Sequence, residues 1–509
     1  MTPSNRRRFL GSCTALGASA TAAPWLAQLA ALGAGSAATP ARAGGASGYK
    51  ALVCLFFYGG NDAFNTVLPT DAPSWAAYLA ARDQDDSSIA LLPPGTPPAH
   101  GADVNKRLGG VLPIQPLHAQ GRTFALHPAL DTLPDLFAQK RLAIVPNVGP
   151  LVQPTSKADY LAGSVPLPPK LFSHNDQQSV WQSMGAEGTR TGWGGGLVDR
   201  VMKGNVNPIF TSISMNGSAV WLAGKRARPY QLGLDGPIHI GSDDGTLFSS
   251  IQVQQTLETL MRTPRSSRVV EVEHAQVVDR SMAAYAVLAP AFPPANQAPW
   301  GSAHVAPGKV DPLLMYRAPS TGERLPNPIA QQLQAVARMI ATHAALGTGR
   351  QVFFVGVDGF DTHDDQNDRH ADVMAQLAQA LSYWDTVTQG MGVDEQVTTF
   401  TASDFGRAFP SNGSGSDHGW GAHHFVLGGA VRGGDLHGAF PAYGLSDDQG
   451  GYSSDDQVDD GALLPIASVD QYAATLGAWF GVPPDELTSV LPNLANFPPA
   501  QRDLGFMKG

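Results

Sequence analysis

Short apolar segments recur along this chain, and each one ends in glycine and polar residues. Six of them are nearly continuous rather than alternating in hydrophobicity: residues 51–58, 142–148, 209–215, 351–357, 397–402 and 424–427. This pattern is typical of strands that are covered on both faces, as in a parallel sheet. We therefore predict that these six segments are strands of a mostly parallel sheet.

Segments with apolar residues at helical spacing fall between the predicted strands. They cover residues 131–139, 326–346, 368–389 and 470–480, and a glycine directly follows each of the last three as a stop signal. The alternation of strands and helices predicts an α/β fold. Residues 83–123 and 289–308 are rich in proline and glycine and are predicted to be loop-rich insertions. With no repeat and no clear boundary, we predict one domain over residues 44–509.

The pattern of residues 1–43 predicts an export signal. Residues 5–10 (NRRRFL) contain paired arginines, an Ala/Leu/Gly-rich segment follows, and residues 41–43 (ARA) place small residues before Gly44. This order is typical of a cleaved signal, and the paired arginines indicate the twin-arginine route. Glycine, threonine, serine and proline interrupt the apolar segment, which argues against a stable membrane anchor. We predict a periplasmic or secreted protein whose partner in export is the twin-arginine translocation machinery.

The charge balance and the cysteine count exclude several classes of protein. The 509 residues include 33 Lys+Arg and 43 Asp+Glu, a formal net charge of −10, whereas a nucleic-acid-binding protein carries a basic surface. Two cysteines, Cys13 and Cys54, are too few for a disulfide scaffold or a cysteine-built zinc site. The chain is 43% hydrophobic, which is enough for a sizeable core despite its 56 glycines and 40 prolines.

Acidic and histidine side chains follow several of the predicted strands. In open α/β sheets, ligands bind outside the carboxyl ends of the strands. Because that edge collects residues that are distant in sequence, we expect these side chains to lie together there: Asp62, Asp358, Asp361, His363, Asp404, Asp417 and His418. Carboxylate and imidazole donors suit zinc, manganese or a similar divalent ion, and two clustered sets could hold two ions.

Each of these motifs also has a purely structural interpretation. Asp62 could be a turn residue or a helix N-cap. Arg407, close to Asp404, could form a structural ion pair or bind an oxyanion. Helix capping or a solvated loop could explain the remaining residues: Asp361, His363, Asp417 and His418. Their co-occurrence favours a site, since 3 of the 14 histidines fall within residues 417–424.

Four motifs together resemble a bacterial exported family. They are residues 59–65 (GGNDAFN), 359–363 (GFDTH), 403–407 (SDFGR) and 417–421 (DHGWG), in this order. The family is catalogued as domain of unknown function 1501, and the resemblance covers nearly all of the mature chain. That family looks like a remote branch of the alkaline phosphatase and sulfatase superfamily. The resemblance implies a three-layer α/β/α sandwich with a mostly parallel central sheet and a metal-dependent site.

The resemblance also implies roles for individual residues. The metal ligands that it implies are Asp62, Asp361, His363, Asp404 and His418, with Asp358 in reserve. These would hold one or two divalent ions, zinc, manganese or calcium. Ser173, before the helical segment 177–184, is the implied nucleophile, with a plain N-cap as the structural alternative. The superfamily usually has a histidine where this chain has Phe405, so a second ion lacks one ligand unless Arg407 or His423 replaces it.

These observations lead to two functional hypotheses. In the first, the chain is an exported metal-dependent hydrolase of phosphate or sulfate esters, on a small molecule or a polymer. Ser173 would attack, His174 or the metal would activate it, and Arg407 would stabilise the oxyanion. In the second, the chain is a non-catalytic exported binding protein on a degenerate phosphatase or sulfatase scaffold.

Overall fold

The computed structural model of the protein describes residues 48–84, 88–239, 245–306, 308–447 and 450–508. The predicted export signal, residues 1–43, lies outside the described residues. Within them, the strands β1 to β15 are, in chain order, Lys50–Phe57, Val67–Pro69, Leu112–Ile114, Phe124–Leu126, Leu142–Gly149, Ser212–Ser214, Tyr230–Gln231, Met315–Arg317, Arg324–Pro326, Arg350–Val357, Val397–Ser403, Ala422–Leu427, Gln457–Val458, Ala462–Leu463 and Ala467–Ser468. The α-helices α1 to α14 are Ala63–Thr66, Ala72–Arg82, Val104–Leu108, Leu133–Ala138, Lys157–Ala162, His174–Ser183, Trp193–Val201, Ile251–Arg262, Val269–Leu288, Pro328–Ala341, His343–Leu346, Gln366–Gly390, Val469–Phe480 and Pro484–Val490.

Eight strands form the central sheet, in the order β15-β5-β12-β11-β1-β10-β6-β7. Strand β1 lies between β10 and β11 and pairs parallel with both over nearly its whole length. Strand β12 is the exception, because it runs antiparallel to both of its neighbours, β11 and β5. The predicted α/β fold with a mostly parallel sheet is therefore confirmed. The three-layer arrangement of a sandwich and its likeness to alkaline phosphatase stay predictions.

Alternate residues of β1 pack into two separate hydrophobic clusters. From Ala51 onward, the odd-numbered residues lie in one cluster, to which helices α10 and α12 also contribute. The even-numbered residues, including the buried Cys54, lie in the other cluster, with residues of α7 and α13. Both faces of β1 are thus covered by apolar side chains, which is why its sequence is continuously hydrophobic.

The predicted segments and the observed elements agree closely. The six predicted strands correspond to β1, β5, β6, β10, β11 and β12, with ends that differ by three residues or fewer. The helix predicted over residues 326–346 is divided into α10 and α11. Helix α10 stops before Thr342, whose hydroxyl donates a hydrogen bond to the carbonyl of Met339, and α11 starts at the next residue.

Two regions differ from the expectation. Strand β12 is antiparallel because an 18-residue loop without a crossover helix joins it to β11, and a parallel neighbour needs a crossover. Residues 83–123, predicted as a plain inserted loop, contain α3, which Asp103 caps, and the edge strand β3. The insertions and the single-domain boundary stay predictions. In the described part of the chain, no helix is long and apolar enough to span a lipid bilayer.

Three buried histidines predict that acid destabilises the fold. Burial lowers the pKa of His370, His423 and His424 to about 3, below the usual value of about 6.5. Between these two values the three histidines bind about three more protons in the unfolded chain than in the folded chain, so their protonation favours unfolding as the pH falls. Asp470 acts in the opposite direction below about pH 6, because burial raises its pKa to about 6.

From these four groups we expect the free energy of unfolding to fall by about 3 kcal/mol per pH unit near pH 5. The loss begins as the pH falls below about 6.5, where the unfolded histidines gain protons. Urea unfolding followed at about pH 7 and about pH 5 measures this change. Asp470→Asn removes the opposing group and should steepen the loss. Equal urea midpoints at both pH values would contradict the prediction.

Candidate metal centre

Four side chains from three chain segments form one cluster, which we call the His/Asp cluster. Each supplies one donor atom, and these atoms lie within 4.8 Å of one another: His174, Asp361, His363 and His418. His174 begins helix α6, the next two follow strand β10, and the last lies in the loop between β11 and β12. Because β10 and β11 flank β1 in parallel, their carboxyl ends meet at one edge of the sheet.

Each histidine of the cluster is held through its Nδ1 atom by an acceptor outside the cluster. The three contacts are His174 to Asp404 Oδ2 at 2.8 Å, His363 to Asp417 Oδ1 at 3.2 Å, and His418 to the carbonyl oxygen of Phe172 at 2.6 Å. Carboxylate and carbonyl oxygens accept hydrogen bonds, so each Nδ1 carries a proton, and a neutral ring then has its lone pair on Nε2. The same arrangement orients metal-bound histidines in proteins.

The Nε2 atoms of two histidines lie closer together than two unprotonated ring nitrogens would. Nε2 of His363 is 2.9 Å from Nε2 of His418 and 3.1 Å from Oδ1 of Asp361. Lone pairs and a carboxylate that face one another repel unless a cation or a proton lies between them. Tetrahedral donors around zinc would be roughly 3.4 Å apart, which is close to these separations. The donor set therefore fits a divalent transition metal ion.

Asp361 supplies the carboxylate of the cluster. Its side chain is 47% exposed, and its Oδ1 accepts a hydrogen bond at 3.1 Å from Nη1 of the fully buried Arg407. Burial raises the pKa of Asp361, but Arg407, His174 and His363 together outweigh burial and lower the pKa below its usual range. The carboxylate is therefore ionised at neutral pH, as a metal ligand must be.

His418 and Asp361 are the two cluster residues with a shifted pKa, and the side chain of His418 is the less exposed of the two, at 24% against 47%. Burial lowers the pKa of His418, and the neighbouring His174, Arg407 and His363 lower it further, against the hydrogen bond to the Phe172 carbonyl, which raises it. The ring is therefore neutral at physiological pH, which is the state that binds a metal ion.

Asp404 lies behind the His/Asp cluster rather than in it, in contrast to its predicted role as a ligand. It is fully buried, and its Oδ2 accepts hydrogen bonds from His174, from the backbone N–H of Gly59 at 3.1 Å and from Gln178 at 2.9 Å. Asp404 thus orients the imidazole of His174 and fixes its tautomer.

We expect Asp404→Asn to lower the affinity for zinc by about 10–100-fold, the usual loss when an outer partner of a ligand is changed. The amide is a weaker acceptor for Nδ1 of His174 than the carboxylate. Asp417→Asn is the comparison variant and should lose less, because the Asp417 side chain is 58% exposed and solvent can replace it. Isothermal titration with zinc measures both. An unchanged affinity in Asp404→Asn would contradict the orienting role.

Asp62, the other predicted ligand, also lies outside the cluster. Its Oδ1 accepts from the backbone N–H of Phe64 and caps helix α1, and Arg82 binds both carboxylate oxygens. Gln366 donates a further hydrogen bond to Oδ2 at 2.6 Å. Both oxygens are occupied by protein donors, so the arrangement matches the structural alternative, a helix cap with an ion pair.

Ser173, the implied nucleophile, is next to the cluster in sequence but its hydroxyl is engaged elsewhere. It occupies the N-cap position of α6 without making the capping hydrogen bond, and its Oγ donates to Asp176 Oδ2 at 2.8 Å. Its neighbour His174, the predicted base, is instead one of the four clustered residues. The nucleophilic role of Ser173 stays a prediction.

Phe405, which stands where the sequence resemblance implied a histidine, packs against the cluster. Its buried ring lies 4.7 Å from the ring of His174 and 4.6 Å from that of His418. Gly60 allows this approach, since a Cβ there would lie 2.4 Å from the Phe405 ring. An apolar ring therefore covers the side of the cluster where a ligand of a second ion was expected.

The two residues that could replace that histidine, Arg407 and His423, both make hydrogen bonds to other protein groups. Arg407 binds Asp361, and the Nδ1 of the buried His423 accepts from the backbone N–H of Asn147 at 3.0 Å. Asp358, the ligand held in reserve, is not part of the cluster. In the portion of the chain that the structure describes, the His/Asp cluster is the single group of three or more side chains placed to hold an ion.

Sequence reasoning missed the partners that hold the histidines. Gln178 and the carbonyl of Phe172 carry no recognisable signal, because a backbone carbonyl is common to all residues. Phe172 has a φ of 70°, an uncommon conformation for an aromatic residue that is often found at functional sites. Only the folded chain shows that this residue contributes.

Fold and site together define the class of protein. It is an α/β protein with a mostly parallel sheet and a candidate metal centre at the carboxyl ends of the strands. The chain belongs to the family described as protein of unknown function (DUF1501), whose model matches residues 49–491. The resemblance to this family is therefore confirmed.

Other comparisons add little. No curated protein matches the sequence. The chain is similar to a solved structure described under the metabolism of multiple glycosaminoglycans by Bacteroides thetaiotaomicron, with 9% identity and a TM-score of 0.31. The match covers 87% of this chain and 74% of the other. A similarity this weak supports no argument about fold or activity.

Proposed function

We propose that the His/Asp cluster binds one divalent transition metal ion. The observation that carries the proposal is the convergence of three Nε2 atoms and one carboxylate, while every Nδ1 is held by an outer acceptor. Three imidazoles favour zinc, iron or manganese over calcium, which takes oxygen ligands.

We propose further that the protein is exported and hydrolyses phosphate or sulfate esters. A bound ion of this kind supplies Lewis-acid activation of an ester oxygen and of water. The protein's own groups prepare the site: Asp404 orients the ring of His174 through its Nδ1 atom, and Arg407 favours the ionised form of Asp361. The side chains of Asp361 and His363 are 47% and 42% exposed, which leaves the cluster open to a small ester or to a group on a polymer.

A non-catalytic binding protein is the second candidate. Two contacts favour it: the Ser173 hydroxyl is bound to Asp176, and Phe405 covers one side of the cluster. In this case the metal ion would hold the surrounding loops together or bind a ligand without turning it over.

Elemental analysis of the protein, exported from cells and purified without chelators or a histidine tag, tests the metal centre. We expect about one equivalent of zinc, iron or manganese, in line with a single four-donor site. Turnover of p-nitrophenyl phosphate and p-nitrophenyl sulfate by the loaded protein, lost after dialysis against a chelator, would support the hydrolase. Metal content without turnover would favour the binding protein, and no metal after incubation with these ions would contradict both.

A further inference from the structure

Arg407 is the residue that links the ligand-bearing segments of the His/Asp cluster. Its side chain is fully buried, and its Nη1 donates to Asp361 Oδ1 at 3.1 Å and to the backbone carbonyl of Gly59 at 3.3 Å. The guanidinium therefore ties the end of β1 to the ligand that follows β10. Being inaccessible from outside, it does not have the position expected of a group that binds a substrate oxyanion.

The backbone on either side of Arg407 holds the segment of a second cluster residue, His418. Arg407 and His418 form an isolated antiparallel bridge. The two hydrogen bonds of this bridge are made by the neighbouring residues, from the N–H of Ala408 to the carbonyl of Asp417 at 2.8 Å and from the N–H of Gly419 to the carbonyl of Gly406 at 2.8 Å. His418 is thereby held opposite Arg407 by the main chains of their flanking residues, while Asp361 is held by the side chain of Arg407.

Two glycines make this double contact sterically feasible. A Cβ at Gly59 would lie 2.3 Å from the backbone nitrogen of Asp361, and a Cβ at Gly419 would lie 2.4 Å from the carbonyl oxygen of Arg407. Real Cβ atoms do not approach other atoms this closely, so larger residues would separate the segments. The two glycines therefore allow the three segments to meet around Arg407.

We propose that Arg407 is a positioning residue, whose side chain holds Asp361 beside the bridged His418 in the geometry that binds the metal ion. The inference rests on the proposed metal centre and replaces the oxyanion role that the sequence suggested for Arg407. Nε and Nη2 of Arg407 have no hydrogen-bond partner within the described protein atoms, and Asp361 is the nearest strong source of opposing charge. Arg407 thus acts on the ion through Asp361.

Cobalt titration of a double-mutant cycle tests the proposal, because the visible spectrum of Co²⁺ reports the ligands around it. The variants are wild type, Arg407→Lys, Asp361→Asn and the double variant, with Arg82→Lys as a matched control. Arg82 is equally buried and paired with a carboxylate, that of Asp62, outside the cluster. We expect Arg407→Lys to lower the affinity for Co²⁺ by about 10–100-fold and to shift the spectrum toward that of Asp361→Asn.

In the Asp361→Asn background, Arg407→Lys should cause a much smaller further loss, because its main target is gone. Arg82→Lys should keep the affinity within about 3-fold of wild type, since additive sites outside a network interact weakly. Equal losses in both backgrounds, or an equal loss in Arg82→Lys, would overturn the positioning role. A wild-type protein that does not bind Co²⁺ would instead overturn the metal centre itself, and the inference with it.

Circular dichroism of each variant verifies that it is folded. If Arg407→Lys is not, Gly419→Ala is the second variant, because its Cβ would disturb the same backbone pair. We expect Gly419→Ala to weaken Co²⁺ binding in the Asp361→Asn background as well, since it acts on His418 rather than on Asp361. Wild-type affinity in Gly419→Ala would overturn the backbone part of the proposal.

Discussion

His363→Ala is expected to lower the affinity of the protein for zinc by more than about 100-fold, because changes to outer partners of ligands alone cost about 10–100-fold. The Nε2 atom of His363 makes the two shortest contacts between donors in the cluster, to His418 at 2.9 Å and to Asp361 at 3.1 Å. Its removal leaves three donors in the cluster. Isothermal titration with zinc, combined with elemental analysis of the purified variant, measures the loss.

The fold should survive this change, since the His363 side chain is 42% exposed and its removal relieves the repulsion between facing lone pairs. His118→Ala is the matched control, because His118 is also an exposed histidine whose Nδ1 contacts a carboxylate, that of Asp435. It should retain the wild-type affinity for zinc. Unchanged zinc binding in His363→Ala would remove the central support for the metal centre.

Asp62→Ala is expected to reduce the free energy of unfolding by about 3–5 kcal/mol and to leave the metal content unchanged. The carboxylate and Arg82 are both fully buried, so alanine leaves an uncompensated guanidinium in the protein interior. The N-cap of α1 is lost as well. Urea unfolding of the metal-free protein measures the change in stability.

Glu486→Ala is the control for this prediction. Glu486 pairs with Arg200 at the surface, with both side chains more than one third exposed, so its loss should cost less than about 1 kcal/mol. A variant Asp62→Ala that kept its stability but lost its metal ion would restore the ligand role that the family resemblance implies for Asp62.

Different measurements test the presence of a metal ion, the activity and the positioning of the ligands at this edge of the sheet. Elemental analysis decides whether an ion is bound, ester turnover decides between the hydrolase and the binding protein, and the Arg407 cycle decides how the ligands are held. Asp404→Asn adds a fourth observation through His174, at a residue that shares its partner Gly59 with Arg407.

Much of the fold was predictable from the sequence, because local patterns determine it. The nearly continuous apolar segments of β1 and β10 are buried along almost their whole length, and this pattern predicts central strands of a largely parallel sheet. The rule that ligands bind at the carboxyl ends of such strands then places Asp361, His363 and His418 at one edge. The antiparallel direction of β12 was beyond this reasoning, because hydrophobicity does not encode strand direction.

The roles of the acidic residues depended on tertiary structure. Asp62, Asp404 and Asp361 all follow central strands and look alike as motifs, yet only Asp361 is among the clustered donors. Asp404 is engaged by a histidine 230 residues away, and Asp62 by Gln366, 304 residues away. A carboxylate binds whichever donor lies within about 3 Å of it. Which donor that is depends on how distant segments pack, so the sequence alone determined the edge of the sheet and the folded chain determined the ligands.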